Sequence, residues 1–246
     1  MEYKPIHNIE FLKFKQNPYP DLQEMRAVNP ICFVPQVNAT MICDRASIDE
    51  CEKNIDIFSS VQPLGLMTIL MGQNMMRKDG EAHAHERKAI FKTISPKTSR
   101  DYWRDKFETI ADTIIDKIKE LKYGDLLTLY AKELSAECLK LVTGLTNMAA
   151  AEMDRVSQGM IDGCSNYTGD SDIETYCNNC TQSIDAHINE IVGEINSRSG
   201  FSMISTMLKG NLTSDQISAN IKLAISGGQN EPRDAIAGCI LSLIHI

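Results

Sequence analysis

Three stretches of this 246-residue chain hold side chains whose types and spacing could do chemistry. The first is Ser226-Gly227-Gly228-Gln229-Asn230-Glu231-Pro232-Arg233-Asp234, set inside an apolar helical pattern. Ile217, Ile221, Ala224 and Ile225 precede it, and Ile236, Ile240 and Leu243 follow at helical spacing. Each glycine weakens a helix by roughly 1 kcal/mol relative to alanine and lets another group approach the backbone. Pro232 cannot donate to the Gly228 carbonyl and its ring crowds that oxygen, so a kink and a free acceptor are expected. A helix weakened in this way can admit a ligand, and a kink used only for packing has the same signature. The second stretch is Arg77-Lys78-Asp79-Gly80-Glu81-Ala82-His83-Ala84-His85-Glu86-Arg87. His83 and Arg87, four apart, share a helix face, and an imidazole beside a guanidinium can clamp a carboxylate or phosphate. A solvated helix face fits the same pair. The third is the CxxC of Cys177 and Cys180, which can bind a metal or cycle as a dithiol; with no second pair or histidine cluster, buried structural thiols are the simpler reading.

The elements that would position these groups read as mainly helical. Asn17-Pro18-Tyr19-Pro20 opens a short helix through Ala27, stopped by Asn29-Pro30. Extended runs at 31–34 and 39–43 form a hairpin around a four-residue loop. Ser47 and Glu50 have capping-box spacing for another short helix. Residues 61–76 hold leucines, isoleucine and methionines without a clean period, which suits an apolar pocket wall or a loop packed on its own core. Trp103, Phe107, Ile110, Ile114, Ile118 and Leu121 line one helix, with Gly124 as its terminator, and Tyr130, Leu134, Cys138, Leu141 and Leu145 line the next, with Gly144 near its end. Helices over 149–167 and 172–197, joined by a short polar loop, should pack antiparallel. A short helix at 201–208 precedes a capping box, Thr213 with Gln216, that starts the helix bearing the first stretch. With no repeat and no low-complexity linker, residues 1–246 are expected to form a single domain. The last helix meets no stop signal, so the chain is expected to be a fragment that ends inside an element.

Bulk composition limits the alternatives. A hydrophobic content of 43% supports an ordinary core, and 25 basic against 33 acidic residues leaves a net charge of -8 without a dense basic block, so nucleic acid is not an expected partner. No apolar run is long enough to span a bilayer, and residues 1–14 do not resemble a secretion signal. Eight scattered cysteines suit a reducing compartment, and the expectation is a soluble cytoplasmic protein.

Taken in order, the two polar constellations resemble the cytochrome P-450 family of haem-thiolate monooxygenases, of the soluble bacterial type, over essentially the whole chain. Asp79-Gly80 with His83 and Arg87 is similar to the DGxxHxxxR pattern of a family helix, and 225–243 is similar to the distal helix that crosses the haem, with Arg233-Asp234-Ala235-Ile236-Ala237-Gly238 a familiar continuation. The resemblance implies that His83 and Arg87 bind the propionates of haem b, and that Gly227 and Gly228 make room for dioxygen. It also implies a mainly α fold with a small N-terminal β hairpin, an apolar substrate, and electrons from a ferredoxin or similar donor. Substrate contacts would come from 61–76 and 166–171. Arg77, Lys78, Lys88 and Lys92 could present a docking patch to the donor, or simply a solvated face.

Two departures accompany the resemblance. At the positions of the family's proton-delivering acid and hydroxyl stand Asn230 and Glu231, so Glu231 could take over the relay or pair with Arg233. The family's axial cysteine, in a glycine-rich loop, is not found in this chain, which would be truncated before that loop and holds no metal ligand of its own. A noncatalytic binding module using the same pocket is the alternative reading.

Overall fold

The computed structural model describes residues 5–194 and 200–246, so residues 195–197 of the helix expected over 172–197 lie outside the described residues. Two compact units are formed, Met1–Ser60 and Val61–Ile246.

In the first unit, α1 (Phe11–Gln16) and α2 (Tyr19–Val28) precede an antiparallel hairpin of β1 (Ile31–Val34) and β2 (Ala39–Ile42), with Ile31 opposite Ile42 and Val34 opposite Ala39. The turn closes at Asn38 in the left-handed region, φ 49°, a conformation asparagine tolerates. Met25, Cys32, Val34 and Ile9 form a small core. α3 (Arg45–Lys53) follows, but its cap is not the expected Ser47 and Glu50 pair. Asp44 holds the cap position and accepts from the Ser47 backbone N–H at 2.9 Å. An aspartate side chain reaches that donor as well as serine does.

The second unit is helical. After α4 (Leu66–Met71) and a tight turn at Met75–Arg77 comes α5 (Gly80–Ile94), then α6 (Pro96–Thr98), which passes through a π-helical turn at Ser99–Trp103 into α7 (Arg104–Ile118). Trp103 is buried there and its indole N–H donates to the Thr93 carbonyl at 2.8 Å. α7 stops well before the expected terminator Gly124. A second π-helical turn, Leu127–Ala131, leads into α8 (Lys132–Thr143), which ends at Gly144 as expected, with φ 96°. α9 (Ala150–Cys164), α10 (Ser171–Val192) and α11 (Met203–Lys209) lead to α12 (Ser214–Gly228), opened by the full Thr213 and Gln216 capping box, and α13 (Asn230–Ile244). The shared core includes Met71, Ile90, Met153, Met160, Ile184 and Ile221.

The CxxC has its place in the α9–α10 contact. A Cβ on Gly159 would lie 2.4 Å from the Cys180 Sγ, and one on Gly163 would lie 2.4 Å from the Cys177 Sγ, so each thiol fills a notch left by a glycine. Burial pushes the Cys177 thiol up to about 12, with the neighbouring Cys164 adding to the effect, and raises Cys180 as well, which keeps both neutral near pH 7. Among the described residues no group of three or more His, Cys, Asp or Glu could hold a metal ion. Gly159→Ala is therefore expected to destabilise the chain by about 1–3 kcal/mol through overpacking, despite alanine's better helix propensity. In a Cys180→Ala background the same change should cost less, since only the Tyr176 ring edge at 3.0 Å and the residue-180 Cβ at 3.3 Å still crowd it. A double-mutant cycle read by urea unfolding checks this, and additive costs would contradict the notch.

Candidate functional site

The anion clamp is built from the start of α5. Asp79 takes the cap position and Gly80 adopts φ 54°, a left-handed conformation that glycine enters without penalty. That turn starts the helix so that His83 and Arg87 follow one turn apart. His83 is half-buried, and its Nδ1 lies 2.9 Å from the Met75 carbonyl. A carbonyl only accepts, so Nδ1 carries a proton, and Nε2 makes no hydrogen bond among the described residues. Arg87 is exposed and has no ion pair or hydrogen bond among them. Both side chains are open to a ligand. The turn that His83 grips carries two further unpaired buried donors, Asn74 Nδ2 and Arg77 Nε.

Between the clamp residues lies Glu86, a buried carboxylate that the sequence reading missed. It accepts from Lys78 Nζ, from Gln216 Nε2 at 2.8 Å and from Asn220 Nδ2 at 2.8 Å. Gln216 and Asn220 sit one turn apart on α12, so a single carboxylate ties the clamp helix to the helix that leads into Gly227. The signal was present in the sequence, because Glu86 shares its helical stripe with the buried Ala89, Ile90 and Thr93.

The Gly227–Pro232 region is a break between two helices rather than one helix with a weakened middle. Gln229 separates α12 from α13. Its side chain is buried, donating to the Asp154 carboxylate at 3.2 Å and the Lys132 carbonyl at 3.3 Å. Ser135 Oγ donates to the Gln229 carbonyl at 2.7 Å and lies 3.5 Å from the Gly228 carbonyl, which Pro232 leaves without a helical partner. The two glycines differ. A Cβ on Gly228 would stand 2.8 Å from Leu139 Cδ1, so Gly228 lets α12 pack closely against α8. Gly227 is exposed, and a Cβ there would meet only Glu231 Oε1, at 4.0 Å.

The expected relay residues part in the same way. Glu231 is exposed and lies over Gly227. Asn230 is buried and turns toward α9, where Nδ2 donates to Gln158 Oε1 at 3.4 Å, while Oδ1 has no partner. Arg233 does not take up Glu231; it pairs with Asp234 at 2.8 Å and Asp154 at 3.3 Å. Burial disfavours the Asp154 charge, but hydrogen bonds from Gln229 and Lys132 and the charges of Lys132 and Arg233 outweigh it and hold the carboxyl below its usual value.

Of the remaining expected groups, Lys88 and Lys92 are exposed, whereas Lys78 is committed to Glu86. Leu64 and Ile69 in the first expected substrate segment, and Tyr167 in the second, leave large apolar surfaces exposed. None of the described helices is long and apolar enough to cross a membrane.

The sequence matches no protein-family profile. Solved structures do match. P-450 BioI, in complex with an acyl carrier protein ligated to hexadec-9Z-enoic acid, has 19% identity, covers 95% of this chain and superposes with a TM-score of 0.79. The chain has the cytochrome P-450 fold. A Mycobacterium marinum cytochrome P-450 in complex with pseudoionone also reaches a TM-score of 0.79, at 16% identity over 96% of this chain. An epothilone B-bound cytochrome P-450, EpoK, matches at 0.71 with 12% identity over 100% of it. The chain spans 63% of the first of these P-450 structures and 64% of the other two. The mainly α architecture with one small N-terminal hairpin, read from the sequence, is that of the P-450 fold.

Proposed function

We propose that residues 1–246 form part of one haem-binding domain, and that the whole protein is a monooxygenase that inserts one oxygen atom of dioxygen into an apolar organic substrate. The observation that carries this reading is the link, through the buried Glu86, between the helix of two open polar side chains, His83 and Arg87, and the helix that leads into Gly227. The P-450 fold supports it, and so do the bulky apolar ligands of the matched structures. The residues fit a haem: unpaired donors suit its carboxylates, and Gly227 presents backbone without a side chain. Haem b would supply the oxygen chemistry, with a cysteine ligand from outside these residues and electrons from a ferredoxin-type donor.

The chain's own part is positional and protic. His83 and Arg87 would fix the propionates, with charge-assisted hydrogen bonds setting orientation. Gly227 keeps the wall open where a side chain would intrude. Glu231 would hold and release a proton at Oε1, one turn beyond that opening. Asn230, whose amide cannot titrate, would only orient, through Gln158. Leu64, Ile69 and Tyr167 would contribute apolar surface to substrate. The test is turnover of the whole haem-loaded protein with a ferredoxin donor, an apolar substrate and isotopically labelled dioxygen. One labelled oxygen atom in the product is expected; an unlabelled product oxygen would contradict a monooxygenase, and haem binding with no oxidation of the apolar substrate would favour the binding-module reading.

A further inference from the structure

We propose that Asn220 on α12 sets which ring nitrogen of His83 carries the proton, so that carboxylate capture at the clamp takes up a proton and is coupled to the distal helix. The first half stands on the geometry alone; the second rests on the reading of His83 as a propionate ligand.

Asn220 is fully buried. Its Nδ2 donates to Glu86 Oε2 and to the Gln216 carbonyl, each at 2.8 Å, and its Oδ1 accepts the Met75 N–H at 3.0 Å. The amide has one orientation. Turning it over would press an oxygen against the Glu86 carboxylate and a donor against the Met75 N–H. Met75 is thus held from α12 through its N–H, and its carbonyl, on the next peptide group, receives the Nδ1–H of His83. With Nδ1 committed as a donor, neutral His83 presents a bare lone pair at Nε2, which repels a carboxylate oxygen. Only the imidazolium can donate from Nε2. A ring free of Met75 could instead move its proton to Nε2 and donate while neutral, with no proton taken up.

Charged residues near His83 in the chain are Asp79, Glu86 and Arg87, one turn away on its own helix segment, and Arg77 and Lys78 on the preceding turn. α12 contributes the neutral amides Gln216 and Asn220, and α11 meets α5 farther along, through Thr206 against Thr93. Proton uptake on binding means that affinity for a carboxylate falls as pH rises, by up to about tenfold per pH unit where free His83 is neutral.

Two-bond nitrogen–proton NMR of the histidine rings, on the chain without haem, tests the first half. Neutral His83 should show the Nδ1–H form, and Asn220→Leu should shift it toward Nε2–H. Asn220→Ala makes the same comparison if the leucine variant does not fold. Gln216→Leu removes another donor to Glu86 and the α12 cap, yet should leave the His83 pattern in place. An Nε2–H ring in the native chain, or a pattern unmoved by losing Asn220, would overturn the assignment. Calorimetry of haem binding in buffers of different ionisation enthalpy tests the second half, with about one proton taken up by the native chain above the histidine range and none by His83→Gln. Haem binding without proton uptake overturns the coupling and leaves the haem reading standing. Failure to bind haem at all removes the haem reading and this half with it.

Discussion

Replacing Glu86 by leucine is expected to lower the stability of the chain by about 3–5 kcal/mol, the cost of removing one partner of a buried ion pair. Lys78 would be left with its ammonium largely buried and no carboxylate, and the amides of Gln216 and Asn220 would each lose an acceptor. A domain of this size has roughly 5–15 kcal/mol in total, so the variant would fall near the edge of folding. Glu86→Gln keeps the shape and one acceptor and should cost less, about 1–3 kcal/mol. Urea unfolding of the three proteins measures both. A leucine variant within 1 kcal/mol of the native chain would show that Glu86 does not brace α5 against α12.

Glu231→Gln is expected to cut product formation in the whole haem-loaded protein by roughly 10²-fold or more, with peroxide rising as a share of the dioxygen consumed. Glutamine preserves the size of the side chain over Gly227 and removes only its titratable proton. The alternative in which Arg233 neutralises Glu231 is set aside, since Arg233 pairs with Asp154 and Asp234. Asn230→Asp provides the contrast. It would place a second carboxylate in the buried face near Gln158, away from Gly227, and should not restore the Glu231→Gln loss. An unchanged ratio of product to peroxide in Glu231→Gln would take Glu231 out of proton delivery.

Much of the helical frame can be read from the sequence because its signals are local. Thr213 and Gln216 form both bonds of the capping box their spacing predicts, and Gly144 ends α8 in the left-handed conformation only glycine adopts freely. Weak local signals leave the ends of helices open to competing groups. Asp44 competed successfully with Ser47 for the α3 cap, and α7 ended with no glycine at its end. The stretch 226–234 reads from the sequence as the weakened middle of one helix and is instead a full break at Gln229, because the partners that stabilise the break come from distant segments: Ser135, Lys132 and Asp154. The same reason hid the difference between the glycines. Only the position of Leu139 tells Gly228 apart from Gly227. Glu86 is the instructive omission. A charged residue in a clamp-like string reads as solvated, although its stripe with Ala89, Ile90 and Thr93 faces the core; two of its three partners, Gln216 and Asn220, lie more than a hundred residues away in the chain.

The most direct test of the clamp is an equilibrium titration of this chain with iron protoporphyrin IX and with its dimethyl ester, which lacks the carboxylates. Charge-assisted hydrogen bonds from His83 and Arg87 should make the free acid bind roughly 10–100-fold more tightly, and Arg87→Leu should remove most of that preference. Equal binding of acid and ester by the native chain would contradict the assignment of His83 and Arg87 as the carboxylate clamp.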